Sequence, residues 1–421
     1  MGQNGLRNVL LAVVSVLIAS MLFAVGFLTR VVVEPDHNDS TPASTSSAKT
    51  LETGDVDPSV LQDIIAILQQ DFVDQSRVAD PNLLYQGAIQ GIFTQLNDPH
   101  STYIDPKTYA LSKDDFSGAF QGIGATVAKE GDYVVIVRPL ADTPAARAGI
   151  QGGDRVLAVN GEDATGWSVE KAVLKIRGPK GSTVELKLQH ADGSQQTYKL
   201  TRDDVLVASV DTRPPGGTLK DASGAEAGDI AYIRISSFTS RTPNELQTEI
   251  RNALNRNVKG FIIDVRGNPG GLLNETLQIA DMFLDKGAML TQVDKDGKEQ
   301  RFDARAGTLT NLPIAIVQDE FSASGSEVLA AALQENGRAT VVGSRSFGKG
   351  TVNHVRELKN GGAVYVSIAR WLTPNRNQIE GAGVNPNILV TLTPDDIDQQ
   401  RDIAVFRAID ALRNPTPQAT R

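Results

Sequence analysis

A run of small residues, Ser322-Ala323-Ser324-Gly325-Ser326, precedes an apolar helical pattern. Small residues and a glycine just before a helix put a hydroxyl at the helix N-terminus, where the helix dipole favours a developing anion. A serine is a weak nucleophile without an adjacent base. Because the chain has no cysteine, the run indicates serine chemistry, with a histidine, a lysine or a carboxylate as the base.

Lys349 is the strongest candidate for that base, because Gly348 and Gly350 allow a close approach of the backbone and leave the amine room to reach inward. A lysine has an ordinary pKa of about 10.4, so burial must lower it by roughly 3 units, about 4 kcal/mol. The apolar neighbours Phe347 and Val352 favour this burial. Spacing alone leaves a helix-capping serine and a surface lysine open as alternatives.

The four histidines are weaker candidates for the base. Each lies in a segment with a simpler interpretation: His37 in a polar stretch near the N-terminus, His190 near a turn, His354 beyond the lysine loop, and His100 in Asp98-Pro99-His100-Ser101-Thr102-Tyr103. His100 is the one that keeps a Ser-His hydrolase open, although its tight turn is more typical of a structural role.

Alternating strand and helix patterns surround these residues from Asp229 to Val390, which indicates a mixed α/β core. Buried strands are predicted at 230–235, 260–265, 312–317, 340–342 and 363–369. Helices are predicted at 245–254, 272–284 and 324–334, and a further one at 394–412. Ser324 is thus expected where a strand passes into a helix.

The N-terminal region predicts a membrane anchor and a stalk. Residues 9–28 carry no charge and match the length that a hydrocarbon core of ~30 Å requires. Arg7 precedes the run and Arg30 follows it; a cleaved signal peptide is the alternative. Residues 34–52, rich in Ser, Thr, Pro and Asp, are predicted to be a flexible stalk.

Residues 53–115 are predicted to be helical. Two apolar stripes, interpreted as packing faces, support this prediction: Val60, Leu61, Ile64, Ile65, Leu68 and Phe72, then Leu84, Ala88, Ile92 and Leu96.

Residues 116–200 consist of short β patterns and glycine-rich turns, and they resemble a PDZ domain. The most specific part is the segment 145–162, which reads AARAGIQGGDRVLAVNGE. A PDZ domain adds a peptide strand to an open sheet edge and captures the C-terminal carboxylate with backbone N–H groups. By that resemblance Gly122, Ile123 and Gly124 form the carboxylate loop. Glycines that only shape a turn are the alternative.

Four motifs make the chain similar to the carboxyl-terminal processing proteases, also called tail-specific proteases, from about Asp57 to Leu412. They are DPHSTY at 98–103, DVRGNPGG at 264–271, SASGSE at 322–327 and GKGTV at 348–352, with a weaker GxGxxP match at 381–386. The resemblance implies a serine protease with an inserted PDZ domain.

The resemblance also assigns the site. It implies that Ser324 is the nucleophile and Lys349 the general base, while Ser322 and Ser326 cap or pack. The Gly325 amide is expected to hold the oxyanion with a second amide from Gly270 or Gly271, since the preceding residue is a proline without an N–H.

Three positions depart from the family pattern. Gly325 replaces the usual alanine and keeps its amide. Asn353 replaces the glutamine that orients the lysine, so the support is one methylene shorter. Glu335 stands where some members have an aspartate, and we interpret it as a solvated helix residue. The resemblance further links Arg177 with coupling between the PDZ domain and the protease, although a solvated surface arginine is an equal alternative.

The fold class predicted is therefore a mixed α/β protease core with an inserted PDZ domain, an N-terminal helical segment and a transmembrane helix. The expected units are an anchor (1–33), a stalk (34–52), helices (53–115), the PDZ domain (116–200), the core (201–395), and a C-terminal helix and tail (396–421). The expected activity is that of an endopeptidase that reads protein C-termini in an extracytoplasmic compartment, at a bacterial cell surface or in a periplasm-like space. An inactive PDZ scaffold stays open as an alternative.

The net charge and the residue composition limit the classes of partner and cofactor that are expected. A net charge of −9 without a basic cluster disfavours nucleic acid. No clustered His, Asp or Glu ligand set suggests a metal, and no cofactor is expected. The expected partners are proteins or peptides with exposed C-termini, the membrane through residues 9–28, and a second copy of the chain in a homo-oligomer.

Overall fold

The computed structural model describes residues 57–106, 108–109, 118–399 and 401–414. The predicted anchor, residues 9–28, and the predicted stalk, residues 34–52, lie outside these ranges. Among the described helices, none combines the length and the apolar composition that crossing a bilayer requires.

Two helices begin the described chain, α1 (Val60–Asp71) and α2 (Pro81–Leu96). Their apolar stripes are only partly covered, because half or more of Val60, Ile92 and Leu96 is exposed. The interpretation of both stripes as packing faces is therefore wrong for these side chains. The helices leave an apolar surface on the outside of the described protein.

An antiparallel sheet forms the body of the PDZ unit. The elements from the N-terminal helices to the end of this unit are β1 (Thr102–Ile104), β2 (Ala119–Gly122), β3 (Ala125–Glu130), β4 (Tyr133–Pro139), α3 (Pro144–Arg147), β5 (Arg155–Val159), β6 (Glu162–Asp163), α4 (Val169–Ile176), β7 (Thr183–Gln189), β8 (Gln195–Thr201) and β9 (Asp203–Leu206). The strand order is β3-β4-β5-β7-β8, with β6 beside β5. β3 is thus an edge strand, and α4 lies against it.

The remaining elements form the protease core. They are β10 (Val210–Asp211), β11 (Ile230–Ile235), α5 (Thr242–Asn255), β12 (Gly260–Asp264), α6 (Leu273–Asp281), β13 (Ala288–Asp294), β14 (Glu299–Asp303), β15 (Ile314–Gln318), α7 (Gly325–Glu335), β16 (Ala339–Gly343), β17 (Thr351–Glu357), β18 (Ala363–Leu372), β19 (Ile388–Leu389), α8 (Pro394–Asp398) and α9 (Ile403–Arg413). The mixed α/β core that the sequence predicts is confirmed.

A sheet in the order β10-β11-β12-β15-β16-β19 is the centre of this core. Its strands are parallel from β11 onward, and β10 is antiparallel. Strands β12 and β15 are buried along their whole length, as expected for parallel strands covered on both faces. Ser324 and the glycine motif at 264–271 both follow carboxyl ends of these central strands, so they meet at one edge of the sheet.

A second sheet brings the N-terminal segment to the lysine. Its order is β1-β18-β13-β14, with β17 also paired to β18. Thr102 lies opposite Tyr365, and Val355 lies opposite the same tyrosine from the other side. The DPHSTY turn therefore leads into a strand beside β18, whose other neighbour is β17, the strand that follows Lys349.

The predicted single C-terminal helix at 394–412 is interrupted. The chain forms α8 and α9 instead, because the Asp402 side chain accepts a hydrogen bond from the Val405 N–H at 3.2 Å and starts a new helix there. Arg266 reaches the same carboxylate at 2.8 Å and connects α9 to the central sheet.

Candidate active site

Ser324 is the N-cap residue of α7, in the turn that follows β15. Its φ of 51° lies in a region that non-glycine residues rarely adopt, at a cost of order 1–3 kcal/mol. The Ser324 N–H donates to the Glu327 carboxylate at 2.8 Å. The turn thus holds a serine hydroxyl at the start of a buried helix, where the helix dipole favours negative charge.

Lys349 is almost fully buried, with 3% of its surface exposed. Burial lowers the pKa of its ammonium group to about 8, although the carboxylates of Glu380, Glu327 and Asp98 each raise it. The backbone at Lys349 is held in place, because its carbonyl accepts from the Trp371 indole N–H at 3.0 Å. With this pKa, about a tenth of the amine is neutral at pH 7, far more than for an ordinary lysine.

Glu327 joins the two residues, and sequence reasoning gave it no role. Its buried carboxylate accepts four hydrogen bonds: from the N–H groups of Ser324 at 2.8 Å, Gly348 at 2.6 Å and Lys349 at 2.9 Å, and from the Ser346 hydroxyl at 2.6 Å. Burial raises the pKa of this carboxyl, and the four donors oppose the rise. The signal in the sequence was the glutamate three residues after a helix-capping serine.

One cavity contains both candidate residues. Its walls are Gly271, Leu273, Ser324, Gly325, Val328, Lys349, Thr351, Val352, Asn353, Tyr365 and Trp371. The Lys349 amine donates to the Tyr365 hydroxyl at 3.2 Å. Of the residues singled out in the sequence for the catalytic site, the fold therefore brings Ser324, Gly325, Lys349, Asn353 and Gly271 together.

The two candidate glycines beside Ser324 differ in what their amides do. The Gly270 N–H donates to the Asn268 side-chain oxygen at 2.8 Å. Within the described chain the Gly271 N–H has no acceptor, and neither has the Gly325 N–H at the start of α7. Gly271 has φ 149°, and a Cβ there would overlap the Phe238 carbonyl oxygen. Only glycine therefore fits, and its amide is free to face the cavity.

Asn353 donates both amide hydrogens to the N-terminal turn and β18. Its Nδ2 bonds the His100 carbonyl at 2.8 Å and the Ser367 hydroxyl at 3.0 Å. The His100 ring contacts the Glu380 carboxylate at 2.8 Å through Nε2, while its buried Nδ1 has no partner in the described chain. Glu380 in turn accepts from the Gly350 N–H at 2.8 Å. His100 is thus part of the support of the lysine loop, outside the cavity walls.

The other histidines are not at the cavity. His190 bonds the buried Asp154 carboxylate at 2.7 Å in the PDZ unit, and that carboxylate raises the pKa of the imidazole. His354 is on β17 beyond the cavity walls, and His37 lies outside the described residues.

Ser322 and Ser326 have buried backbone partners. The Ser322 hydroxyl donates to the Val265 carbonyl at 2.9 Å, and the Ser326 hydroxyl donates to the Asn268 carbonyl at the same distance. Both fasten the Ser324 turn to the glycine motif, as packing serines do.

Glu335 is not simply solvated, contrary to its interpretation from sequence. It is half-buried and accepts from the Asn375 N–H at 2.6 Å and from the Asn377 side chain at 3.2 Å. It fastens the loop after β18 to the end of α7, away from the cavity.

The PDZ unit presents an open edge beside the predicted carboxylate loop. The Ile123 and Gly124 carbonyls accept from Ala145 at 2.8 Å and Leu140 at 2.9 Å, which fixes the loop. In the described chain no acceptor lies against the N–H groups of Ile123 and Gly124. Gly122 ends β2 just before them, and the edge strand β3 follows, so a peptide strand can add there.

Arg177 lies at the end of α4 beside this loop. Its guanidinium is 4.3 Å from the centre of the Phe120 ring on β2. β2 pairs with β9 to form the ribbon that connects the PDZ unit to the core. Arg177 therefore contacts the connection between the two units. Across the described ranges, no group of His, Asp and Glu side chains is arranged to hold a metal ion.

Three family models match the chain. Peptidase family S41 matches residues 229–390, the PDZ domain matches 115–189, and the N-terminal domain of the activating protease CtpB matches 23–108. Along the chain, the PDZ match stands between the other two.

Curated relatives carry the same assignment. The chain is 34% identical over 326 residues to the carboxy-terminal processing protease CtpB of Bacillus subtilis, covering 77% of this chain and 66% of that protein. It is 35% identical over 320 residues to the carboxy-terminal-processing protease of Bartonella bacilliformis, covering 74% and 71%. Among solved structures, the photosystem II D1 C-terminal processing protease is 26% identical, with a TM-score of 0.47 over 84% of this chain and 98% of that one.

Proposed function

The chain belongs to peptidase family S41, as a serine-type peptidase of the carboxy-terminal processing kind, and from this premise we propose that it cleaves proteins by a Ser-Lys acyl-enzyme mechanism after its PDZ domain binds their C-terminal tails. The observation that carries the proposal is the cavity that Ser324 and Lys349 share with the amides of Gly271 and Gly325, neither of which has an acceptor among the described residues.

The proposed chemistry begins with proton transfer from the Ser324 hydroxyl to the neutral Lys349 amine. The alkoxide oxygen attacks the scissile carbonyl, and the Gly271 and Gly325 amides hold the resulting oxyanion. Lys349 returns its proton to the leaving amine, which leaves an acyl-enzyme on Ser324. Water, deprotonated by the same lysine, then attacks the acyl carbonyl. The bond to Ser324 breaks, the acid product leaves, and Lys349 returns the proton to the Ser324 oxygen. Gly271 is preferred to Gly270 because the Gly270 N–H is already used by Asn268.

Substrate selection is proposed to lie in the PDZ domain. A tail carboxylate accepts from the N–H groups of Ile123 and Gly124, and the preceding residues pair with the free edge of β3. Arg177 is proposed to transmit peptide binding at the PDZ domain to the protease core, because its contact with Phe120 connects the carboxylate loop to the β2–β9 ribbon. The test is one peptide made as a free acid and as a C-terminal amide. Equal cleavage rates for the acid and the amide would mean that the protein does not recognise the terminal carboxylate.

The compartment and assembly are part of the proposal. The uncharged run at 9–28 supports a single membrane anchor with an extracytoplasmic catalytic domain. The exposed apolar side chains of α1 and α2 support a homo-oligomer. Digestion of the catalytic domain by protease added to intact cells tests the compartment, and digestion only after lysis contradicts it. The molar mass of the native chain and of Ile92→Asp, measured by light scattering, tests the assembly. A native chain with the mass of a monomer, unchanged by Ile92→Asp, contradicts the homo-oligomer.

A Ser-His mechanism is the alternative that a specific observation favours. His100 is buried, contacts the Glu380 carboxylate and has no partner for Nδ1 among the described residues, which is the arrangement of a base with its orienting acid. The cavity walls include Lys349 and not His100, so the lysine remains the proposed base.

Labelling by a fluorophosphonate separates these mechanisms. We expect Lys349→Ala to abolish labelling of Ser324 and His100→Ala to slow it only through a looser lysine loop. Loss of labelling with His100→Ala and retention with Lys349→Ala would establish the histidine as base. No labelling of the native chain, with tail peptides bound and unbound, would favour the inactive scaffold.

A further inference from the structure

The Tyr365 hydroxyl is in direct contact with the lysine amine. It accepts from Lys349 Nζ at 3.2 Å, and Nζ lies 5.3 Å from the centre of the Tyr365 ring. Both side chains are buried and line the Ser324 cavity. We propose that Tyr365 orients the Lys349 amine and stabilises its charged form during the reaction. This inference rests on the proposed Ser-Lys mechanism.

Tyr365 is held rigidly enough for that role. It is 1% exposed and lies in the middle of the second sheet, with Thr102 of β1 on one side and Val355 of β17 on the other. Its ring packs with Ile104 and Ala363 in a small apolar cluster. Because Tyr365 lies on β18 between β1 and β17, its hydroxyl is an acceptor with a defined position for the lysine amine.

A lysine base needs a direction as well as a low pKa. A neutral amine has one lone pair, and free rotation about the Cε–Nζ bond points it away from the serine most of the time. When one amine hydrogen is donated to the Tyr365 oxygen, that rotation is restricted. The lone pair can then be held toward Ser324, where proton transfer occurs.

The same contact strengthens when the proton moves. The Ser324 hydroxyl proton goes to Nζ, so the amine becomes an ammonium group. The hydrogen bond to Tyr365 is then charge-assisted. This interaction is stronger after proton transfer than before it, which is the condition for a contact to accelerate a reaction.

Asn353 is the residue that the family resemblance assigns to this orientation. In the structure its two amide hydrogens are donated to the His100 carbonyl and the Ser367 hydroxyl. The Asn353 oxygen, which is the atom that could accept from the lysine amine, accepts from the Thr351 hydroxyl at 3.2 Å. The shorter side chain thus supports the DPHSTY turn and β17, and we assign the orientation of the lysine to Tyr365. Three carboxylates also face the lysine: Glu327 from α7, Glu380 from the loop before β19 and Asp98 from the turn before β1.

The test is Tyr365→Phe in the full chain, which keeps the ring and removes the hydroxyl. We expect kcat to fall about 10- to 100-fold with little change in KM. We also expect the acidic limb of the pH–rate profile to move to lower pH, because the ammonium form loses an acceptor. Unchanged kcat and an unchanged limb overturn the inference.

Three companion variants make the result specific. Tyr232→Phe is the matched control, because its buried hydroxyl donates to Asp264 at 2.7 Å outside the cavity; we expect lower stability with a native pH profile. Asn353→Ala is expected to lower stability without moving the acidic limb. If the acidic limb of the pH–rate profile moves in Asn353→Ala but not in Tyr365→Phe, then Asn353 and not Tyr365 orients the lysine. Retained activity in Lys349→Ala refutes the proposed mechanism itself, which is a distinct outcome.

Discussion

Lys349→Met is expected to stabilise the protein while it abolishes proteolysis. The native fold buries a lysine whose pKa falls from 10.5 to about 8, and this interval corresponds to about 3 kcal/mol against the folded state. Methionine keeps most of the side-chain volume and has no charge to desolvate. Subtracting about 1 kcal/mol for the lost hydrogen bond to Tyr365 leaves a gain of about 2 kcal/mol near pH 7.

The gain has a defined pH dependence. Below pH 8 both the folded and the unfolded native chain keep the Lys349 proton, so the folded state bears the full cost. Between about 8 and 10.5 the folded state has lost the proton and the unfolded state has not, so the stability of the native protein rises with pH. The advantage of Lys349→Met should therefore fall by about 2 kcal/mol between pH 7 and pH 9.5.

Calorimetric unfolding at the two pH values measures this difference. Both chains should also contain Ser324→Ala, so that self-cleavage does not complicate the comparison. Lys295→Met is the control, because the Lys295 side chain is 83% exposed and should show no comparable gain. A Lys349→Met chain that is less stable than its parent near pH 7, or whose advantage is the same near pH 9.5, contradicts the reasoning.

Three further outcomes are expected. Glu327→Gln should lower the free energy of unfolding by about 2–4 kcal/mol and kcat at least ~10-fold, since an amide NH₂ would face buried donors. Denaturant unfolding and a peptide cleavage assay measure these two effects, and native values in both would contradict the prediction. Gly325→Ala should lower the melting temperature, because its Cβ would lie 2.7 Å from the Thr276 hydroxyl, and Thr276→Ala should restore it if that clash is the cause. Ser322→Ala should lose about 1–3 kcal/mol in urea unfolding through its buried hydrogen bonds while keeping measurable cleavage; an inactive but fully stable variant would give Ser322 a catalytic role.

Local patterns were sufficient for much of the fold. The predicted strand at 230–235 has the same bounds in the structure, because a buried apolar run is decided by neighbouring residues. The C-terminal helix was predicted as one piece because residues 399–402 contain no glycine or proline that would mark a break. The interruption depends on Asp402, whose carboxylate also binds Arg266 from the turn after β12, and a local pattern does not contain that contact.

The roles of Asn353 and Glu327 needed the tertiary structure for the same reason. The family motif placed Asn353 at the lysine, but which partner its amide chooses depends on a turn more than two hundred residues earlier in the chain, at His100. Glu327 was visible as part of SASGSE, yet three of its four donors come from the loop at 346–349. Such hydrogen bonds join segments that the sequence keeps apart.

The sequence by itself determined the chemistry available to this protein: a serine before a helix, a lysine between glycines, no thiol, and a PDZ pattern inserted ahead of an α/β core. These follow from residue types and from short-range spacing. Only the tertiary structure decided that the Gly270 amide is used by Asn268, while the Gly271 amide has no acceptor in the part of the chain that the structure describes, and that the Lys349 amine meets Tyr365. Both outcomes depend on long-range packing, because burial and hydrogen-bond partners are set by which distant strands and turns close around a site.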